Sequence, residues 1–277
     1  MPTQSSTNFP PLKDIIASYG LRPDKSLGQH FLLDPALLAR IAAAAGPLAG
    51  IHVIEIGPGP GGLTRALLAT DAASILAIEI DERAVAACTA LAATDGRLTI
   101  KSADALKLNL AELTPAPRAI IANLPYNVGT PLLIKWLAQA GAYSSMVLMF
   151  QLEVAARIAA APSTSAYGRL SILAQWLCDI DIAMHVPASA FSPPPKVESA
   201  IVRLRPKQVQ PPAEHFKAME RLTAAAFGQR RKMLRGALKS LGGEALLARA
   251  QIAPDRRAET LSVAEFERLM LATLKPG

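Results

Sequence analysis

Asn123-Leu124-Pro125-Tyr126 brings an amide side chain, a proline-fixed carbonyl and an aromatic ring together within four residues. An Asn oxygen and a backbone carbonyl can each accept one N–H of an exocyclic amine. Such an amine on an aromatic ring, as at N6 of adenine, is a poor nucleophile because its lone pair is delocalised. Two acceptors on its hydrogens favour a pyramidal nitrogen whose lone pair can attack an electrophilic carbon. Pro125 restricts the backbone so that the Leu124 carbonyl keeps its direction. Tyr126 offers a π-face on which a base can stack and toward which a sulfonium is drawn. A proline turn with a capping Asn would use the same residues, so the motif gains its meaning from its companions.

The first companion is Gly57-Pro58-Gly59-Pro60-Gly61-Gly62. Gly57, Gly59 and Gly62 satisfy G-x-G-x-x-G, and Glu79 lies 22 residues beyond Gly57. That spacing admits a nicotinamide-dependent dehydrogenase. The prolines argue against it. A pyrophosphate wants free backbone N–H groups at a helix N-terminus, and Pro58 and Pro60 each remove one. S-adenosylmethionine has no phosphate and needs no such donors. Glu79 is the first candidate for the ribose hydroxyls of either cofactor, with Asp81 second. Asp104, after a third strand, could accept from the adenine amine of a cofactor or cap a helix.

These residues need a scaffold that gathers them. Short apolar runs at 52–57, 74–80, 98–101, 119–122 and 146–150 read as strands, with helical spacing at 63–69, 84–93 and from Pro131 to Gln139. The alternation implies an α/β fold, a doubly wound and mostly parallel sheet covered on both faces. In such a sheet ligands bind beyond the carboxyl ends of the strands, where the glycine loop, Glu79, Asp104 and Asn123 all fall. Residues 12–46 read as helical segments around a loop, 22–34. Further along, 153–161 and 170–177 read as helices, 180–186 and 197–204 as strands, and Phe191-Ser-Pro-Pro-Pro195 as a stiff loop. Pro206, Pro211 and Pro212 mark a linker. Beyond it the pattern is helical at 216–227, 229–241, 244–250 and 263–274, with Ser262 and Glu265 spaced as a capping box.

The 277 residues carry a net charge of +7. Residues 1–204 hold 15 Lys/Arg against 15 Asp/Glu, whereas residues 205–277 hold 14 against 7. The whole excess therefore lies in the last quarter, which suggests a polyanionic partner or a solvated basic face. The two cysteines, Cys88 and Cys178, and four scattered histidines form no metal-binding spacing. No metal is expected, and the cysteines suit a reducing, cytoplasmic compartment. The polar start, 1–11, lacks the pattern of a signal peptide. No apolar run reaches the length of a membrane span.

With these residues in hand the chain resembles the ribosomal RNA adenine dimethylase family, and within it the branch acting on small-subunit (16S) rRNA. The resemblance runs from about Lys25 to the C-terminus. It rests on an ordered set: Lys25-Ser-Leu-Gly-Gln-His-Phe-Leu-Leu-Asp34, Glu55-Ile-Gly-Pro-Gly-Pro-Gly-Gly-Leu-Thr64, Ile78-Glu-Ile-Asp81 and Asp104-Ala-Leu106. Then come Asn123-Leu-Pro-Tyr-Asn127, Tyr167-Gly-Arg-Leu-Ser171, Phe191-Ser-Pro-Pro-Pro-Lys-Val-Glu-Ser199 and Arg230-Arg-Lys-Met-Leu-Arg235. One such motif is weak; the ordered set is specific.

The resemblance implies a Rossmann-like class I methyltransferase domain with a small all-helical C-terminal domain. The division is a tail and lead-in helix at 1–24, the methyltransferase domain at 25–205 and a basic RNA-binding domain at 206–277. It implies S-adenosylmethionine as cofactor and S-adenosylhomocysteine as product. The cofactor contacts it implies are His30, Leu32, Gly57, Gly59, Glu79, Asp104 and Asn123. Asn123, Leu124 and Tyr126 would hold the target adenine, with Phe191 stacking on its other face. The family usually has Asn where this chain has His30, and a His can still donate a hydrogen bond. The implied substrate is a pair of adjacent adenosines in the 3′-terminal hairpin of small-subunit rRNA, each receiving two methyl groups. Arg230, Arg231, Lys232 and Arg235, expected on one helical segment, would bind RNA phosphates, with Arg169 a weaker candidate. The chain is expected to act as a monomer on the small ribosomal subunit. A large-subunit rRNA or DNA adenine methyltransferase, and a ribosome-assembly factor acting mainly by binding, remain alternatives at this point.

Overall fold

The computed structural model describes residues 9–21, 30–229 and 232–274. In chain order its strands are β1 (Phe31–Leu32), β2 (His52–Ile56), β3 (Ser74–Glu79), β4 (Leu98–Ser102), β5 (Arg118–Asn123), β6 (Ser145–Gln151), β7 (Cys178–Val186), β8 (Phe191–Ser192) and β9 (Ser199–Pro206). Its helices are α1 (Leu12–Ser18), α2 (Pro35–Ala43), α3 (Gly62–Leu68), α4 (Glu82–Ala92), α5 (Gly129–Leu137), α6 (Leu152–Ile158), α7 (Arg169–Leu177), α8 (Ala213–Phe227), α9 (Leu234–Ala237), α10 (Gly243–Arg249) and α11 (Val263–Leu274).

Seven strands form one sheet in the order β4-β3-β2-β5-β6-β9-β7. The strands β2 to β6 run parallel, with Ile54 opposite both Leu76 and Ile120. The last two, β7 and β9, are antiparallel additions at one edge. Strands buried on both faces cannot alternate apolar with polar, which is why β5 and β6 read as unbroken apolar runs. The strand order reverses at β2, which pairs with β3 on one side and β5 on the other. A crevice opens at such a switch point.

Two short strands escaped the sequence reading. Phe31 pairs with Ser192 and Leu32 with Phe191, so the segments expected as loops at 22–34 and 191–195 are clipped together as β1 and β8. A two-residue strand has no periodicity; only its partner defines it.

The helix expected over 229–241 is also broken. Its described part begins only at Leu234, so Lys232 precedes α9 rather than lying on it. The Leu234 and Arg235 N–H groups donate to the carbonyls of Arg256 and Pro254, at 2.8 and 3.1 Å. Backbone donors claimed by the 254–256 loop cannot continue a helix from the preceding turn, and Gly228 and Gly236 favour a helix poorly.

The helices beyond Pro206 share one apolar core with one face of the sheet. Trp136, Leu173 and Trp176 belong to the same buried cluster as Phe216, Leu222, Phe266 and Leu269. Tyr167 is fully buried, and its hydroxyl donates to the Leu261 carbonyl at 2.9 Å. Its ring meets Phe227 edge-on, and Phe227 stacks on Phe266. Each large side chain buried here contributes about 1.5–3 kcal/mol. The capping box opens α11: the Ser262 N–H donates to Glu265 Oε2 at 2.8 Å, and the Glu265 N–H donates to Ser262 Oγ at 3.2 Å. Among the described residues no helix is long and apolar enough to cross a membrane.

Candidate functional site

A cavity of about 270 Å³ lies at the carboxyl ends of β2, β3 and β5. Its floor is the glycine loop. Gly57, Gly59 and Gly61 have φ of +67°, +54° and +83°, a backbone open to glycine and costly for other residues. A Cβ at Gly59 would also stand 3.3 Å from the Phe31 ring. The sequence of glycines is thus demanded by the turn and by the segment that crosses over it.

Glu79 ends β3 against this loop and is 6% exposed. Its Oε1 accepts from the Ile80 and Asp81 N–H groups at 2.7 and 2.9 Å, and its Oε2 accepts from the Gly59 N–H at 3.1 Å. Asp81, the second candidate, does not line the cavity. It caps α4, accepting from the Arg83 N–H at 3.0 Å and pairing with the Arg83 guanidinium at 2.6 Å. Asp104 lines the cavity and also caps: its Oδ1 accepts from the Leu106 N–H at 2.9 Å. The cap uses one carboxylate oxygen, Oδ1.

Beneath the loop sits Glu55, 1% exposed. Burial pushes its carboxyl up to about 8; the neighbouring Glu79 adds to the rise and Thr64 opposes it. Glu55 Oε2 has no hydrogen-bond partner among the described residues. Cys88 donates its thiol to the Gly59 carbonyl at 3.4 Å, and burial raises its pKa, so it is an inert packing group.

The opposite wall is the turn after β5. Asn123 and Leu124 line the cavity, and the N–H groups of Val128 and Gly129 both close the turn on the Pro125 carbonyl, at 3.2 and 3.0 Å. The Tyr126 hydroxyl and Ser199 Oγ are 2.7 Å apart, which fixes the ring. Burial raises the Tyr126 phenol above its ordinary range, so it stays neutral.

The β1–β8 clip supplies the roof. Leu32 and Phe191 face each other across it, and both line the cavity. The His30 ring lies 5.7 Å from Tyr126 and 6.4 Å from Phe191, edge-on to the latter. Its Nδ1 is 2.9 Å from the Pro193 carbonyl. A carbonyl only accepts, so Nδ1 carries a hydrogen and donates it to Pro193. One ring nitrogen of His30 is thus engaged by Pro193, while the residue itself lines the cavity.

The structure brings His30, Leu32, Gly57, Gly59, Glu79, Asp104, Asn123, Leu124, Tyr126 and Phe191 onto one cavity. Arg230 and Arg231 lie outside the described residues; Lys232 and Arg235 are exposed, away from the cavity lining. Arg169 pairs with Glu220 at 2.9 Å. Among the described residues no three His, Cys, Asp or Glu are grouped to hold a metal.

Four participants were missed by the sequence reading. Ile80 and Leu106 line the cavity while 60% and 38% exposed. Exposed apolar side chains at a cavity rim offer flat surface to a planar ring, but in sequence they continue apolar runs. Glu55 was visible only as the head of the glycine motif. Ser199, the anchor of Tyr126, closes the 191–199 motif but lies 73 residues from Tyr126, and nothing in the sequence joins the two.

A family model described as ribosomal RNA adenine dimethylase matches residues 21–274. A relative from Gluconobacter oxydans, "Ribosomal RNA small subunit methyltransferase A", is 59% identical over 97% of this chain and 89% of its own length. One of the same name from Mesorhizobium japonicum is 54% identical over 96% of this chain and 98% of its own. Among solved structures, a dimethyladenosine transferase from Plasmodium falciparum superposes with a TM-score of 0.74 at 28% identity, covering 87% of this chain and 96% of that one. The 23S rRNA methyltransferase ErmE gives 0.66 at 25%, covering 88% and 100%.

Proposed function

The chain belongs to the ribosomal RNA adenine dimethylase family, and we propose from that premise that it dimethylates N6 of two adjacent adenosines in the 3′-terminal hairpin of small-subunit (16S) rRNA. It is an enzyme of the methyltransferase class. The observation that carries the reading is the gathering of the Asn123–Tyr126 turn, the glycine loop and Glu79 on one cavity. The small-subunit relatives at 59% and 54% identity favour that substrate over the large-subunit one, whose solved example stands at 25%.

S-adenosylmethionine is the cofactor in this reading; when bound it supplies an electrophilic methyl group on a sulfonium sulfur. The donor set suits it. Gly57 and Gly59 let backbone approach closely, Glu79 offers carboxylate oxygens for ribose hydroxyls, and Asp104 has an oxygen for the adenine amine. Ile80 and Leu106 supply apolar faces for that adenine, and His30 and Leu32 close the site from above.

The target base must leave its stack to reach the cavity. Tyr126 and Phe191 offset part of the lost stacking. Asn123 Oδ1 and the Leu124 carbonyl accept the N6 hydrogens and turn the lone pair toward the methyl group. The amine becomes acidic only on methylation, so its proton leaves to water without a strong base. For the second transfer one N–H remains to be held. Orientation and electrostatic complementarity supply the acceleration.

In this reading residues 206–277 face the RNA, with Arg230, Arg231, Lys232 and Arg235 on phosphates. The protein works as a monomer in the cytoplasm, where small subunits mature. The test is to incubate it with methyl-labelled cofactor and small subunits lacking adenine dimethylation, then identify labelled nucleosides. Dimethyladenosine near the 3′ end is expected. Label only in large-subunit RNA would overturn the substrate, and tight subunit binding without label would point to an assembly factor.

A further inference from the structure

Glu55 is a buried acid that the reaction just described does not use. It lies mid-sheet at the end of β2, opposite Ala77 of β3 and Ile121 of β5, both apolar. The polar groups facing it are the Thr64 hydroxyl and backbone N–H of α3, the Cys88 thiol of α4 and the Glu79 carboxylate at the end of β3, while the Arg65 guanidinium of α3 acts on that thiol. Among the described residues no Lys or Arg pairs with it. One of its oxygens has no hydrogen-bond partner, and the residue lines the cavity. A fully buried carboxylate with no cation, beside a second carboxylate, is costly. The same group becomes favourable when a cation is set down beside it.

We propose, resting on the cofactor reading above, that Glu55 is a proton-linked contact for the cofactor: neutral in the empty cavity, it gives its proton to solvent as a cationic part of S-adenosylmethionine arrives. The balance is simple. The O–H bond of the carboxyl breaks, the proton leaves to buffer, and the resulting carboxylate faces the cation. Cofactor affinity is then coupled to pH through a residue that touches neither the target base nor the transferred methyl group. The raised pKa of this carboxyl agrees with that coupling at neutral pH.

The test is calorimetric titration of the whole protein with S-adenosylmethionine and with S-adenosylhomocysteine. It is run at pH 7 in two buffers of different ionisation enthalpy, on wild type and Glu55→Gln. Wild type is expected to release close to one proton per S-adenosylmethionine bound, with affinity rising up to about tenfold per pH unit below the carboxyl's pKa. Glu55→Gln should bind without that release, its affinity correspondingly flatter with pH. Equal release with the homocysteine compound assigns the cation as the ammonium; release only with the methionine compound assigns the sulfonium; both support the proposal. Tight binding with no proton release, or release undiminished in Glu55→Gln, overturns it and leaves the cofactor reading standing. Failure of wild type to bind either compound overturns both. Should Glu55→Gln not fold, infrared difference spectra of wild type decide. Loss of a protonated-carboxyl band on binding is expected, and an unchanged band overturns the proposal.

Discussion

The cavity wall and the basic stretch after residue 204 carry charge in opposite ways. In the wall two acids are buried: Glu79 accepts three backbone N–H groups, and Glu55 sits under the loop with no cation paired to it. In the stretch, Lys232 and Arg235 stand exposed on a surface that holds twice as many cations as anions. A buried polar group acts through particular atoms in low dielectric, so removing it leaves partners stranded. An exposed cation acts through a screened field, so its loss is graded and depends on salt. The first arrangement suits a fixed ligand geometry, the second a flexible polyanion.

That contrast orders the expected effects of substitution. Asn123→Ala should lower methyl transfer by roughly 100- to 1,000-fold, as loss of a preorganised acceptor does. Subunit binding, measured separately, should change little; an equal loss of both would place Asn123 among the RNA contacts. Glu79→Ala should abolish measurable cofactor binding in a titration while subunit binding persists. It also strands three backbone donors, each costing about 1–3 kcal/mol if it stays dry, so its Tm should fall as well.

Glu55 gives a pH signature of stability. Unfolded, its carboxyl ionises in the ordinary range near ~4.3; folded, it ionises at about 8. Between those values the unfolded chain binds fewer protons, so this group makes stability fall as pH rises through the window and level off above it. Glu55→Gln should remove that decline in denaturant titrations from pH 5 to 8.

The exposed side should respond more gently. Lys232→Gln or Arg235→Gln should weaken RNA binding a few-fold and reduce the slope of log affinity against log salt by about one, with cofactor affinity unchanged. Smallest of all, Tyr126→Phe keeps the stacking ring and loses the bond to Ser199, for about 1 kcal/mol of stability. A large loss of methylation in that variant would give the hydroxyl a role beyond holding the ring.

The sequence carried most of the cavity because its parts are local. Glycines at 57, 59 and 61 are needed wherever the chain takes left-handed φ, and that need is written in composition. Apolar runs at 119–122 and 146–150 reveal strands buried on both faces. The ends of those strands then place Glu79 and Asn123 on one edge. The basic quarter was visible from counting alone.

What failed to show were features owned by distant partners. The β1–β8 clip exists only because Phe31 meets Ser192 and Leu32 meets Phe191. The helix expected through Lys232 ends because the 254–256 loop takes its N–H groups. The Nδ1–H of His30 went to Pro193, a residue no local pattern connects to it. By itself, then, the sequence determined the sheet, the glycine turn and the residue types that face a ligand, since propensity, periodicity and backbone sterics act over a few residues. Tertiary structure alone decided which donors and acceptors were already spent and which, like Glu55 Oε2, were left without a partner. Hydrogen bonds and desolvation depend on who is near in space, whatever the separation along the chain.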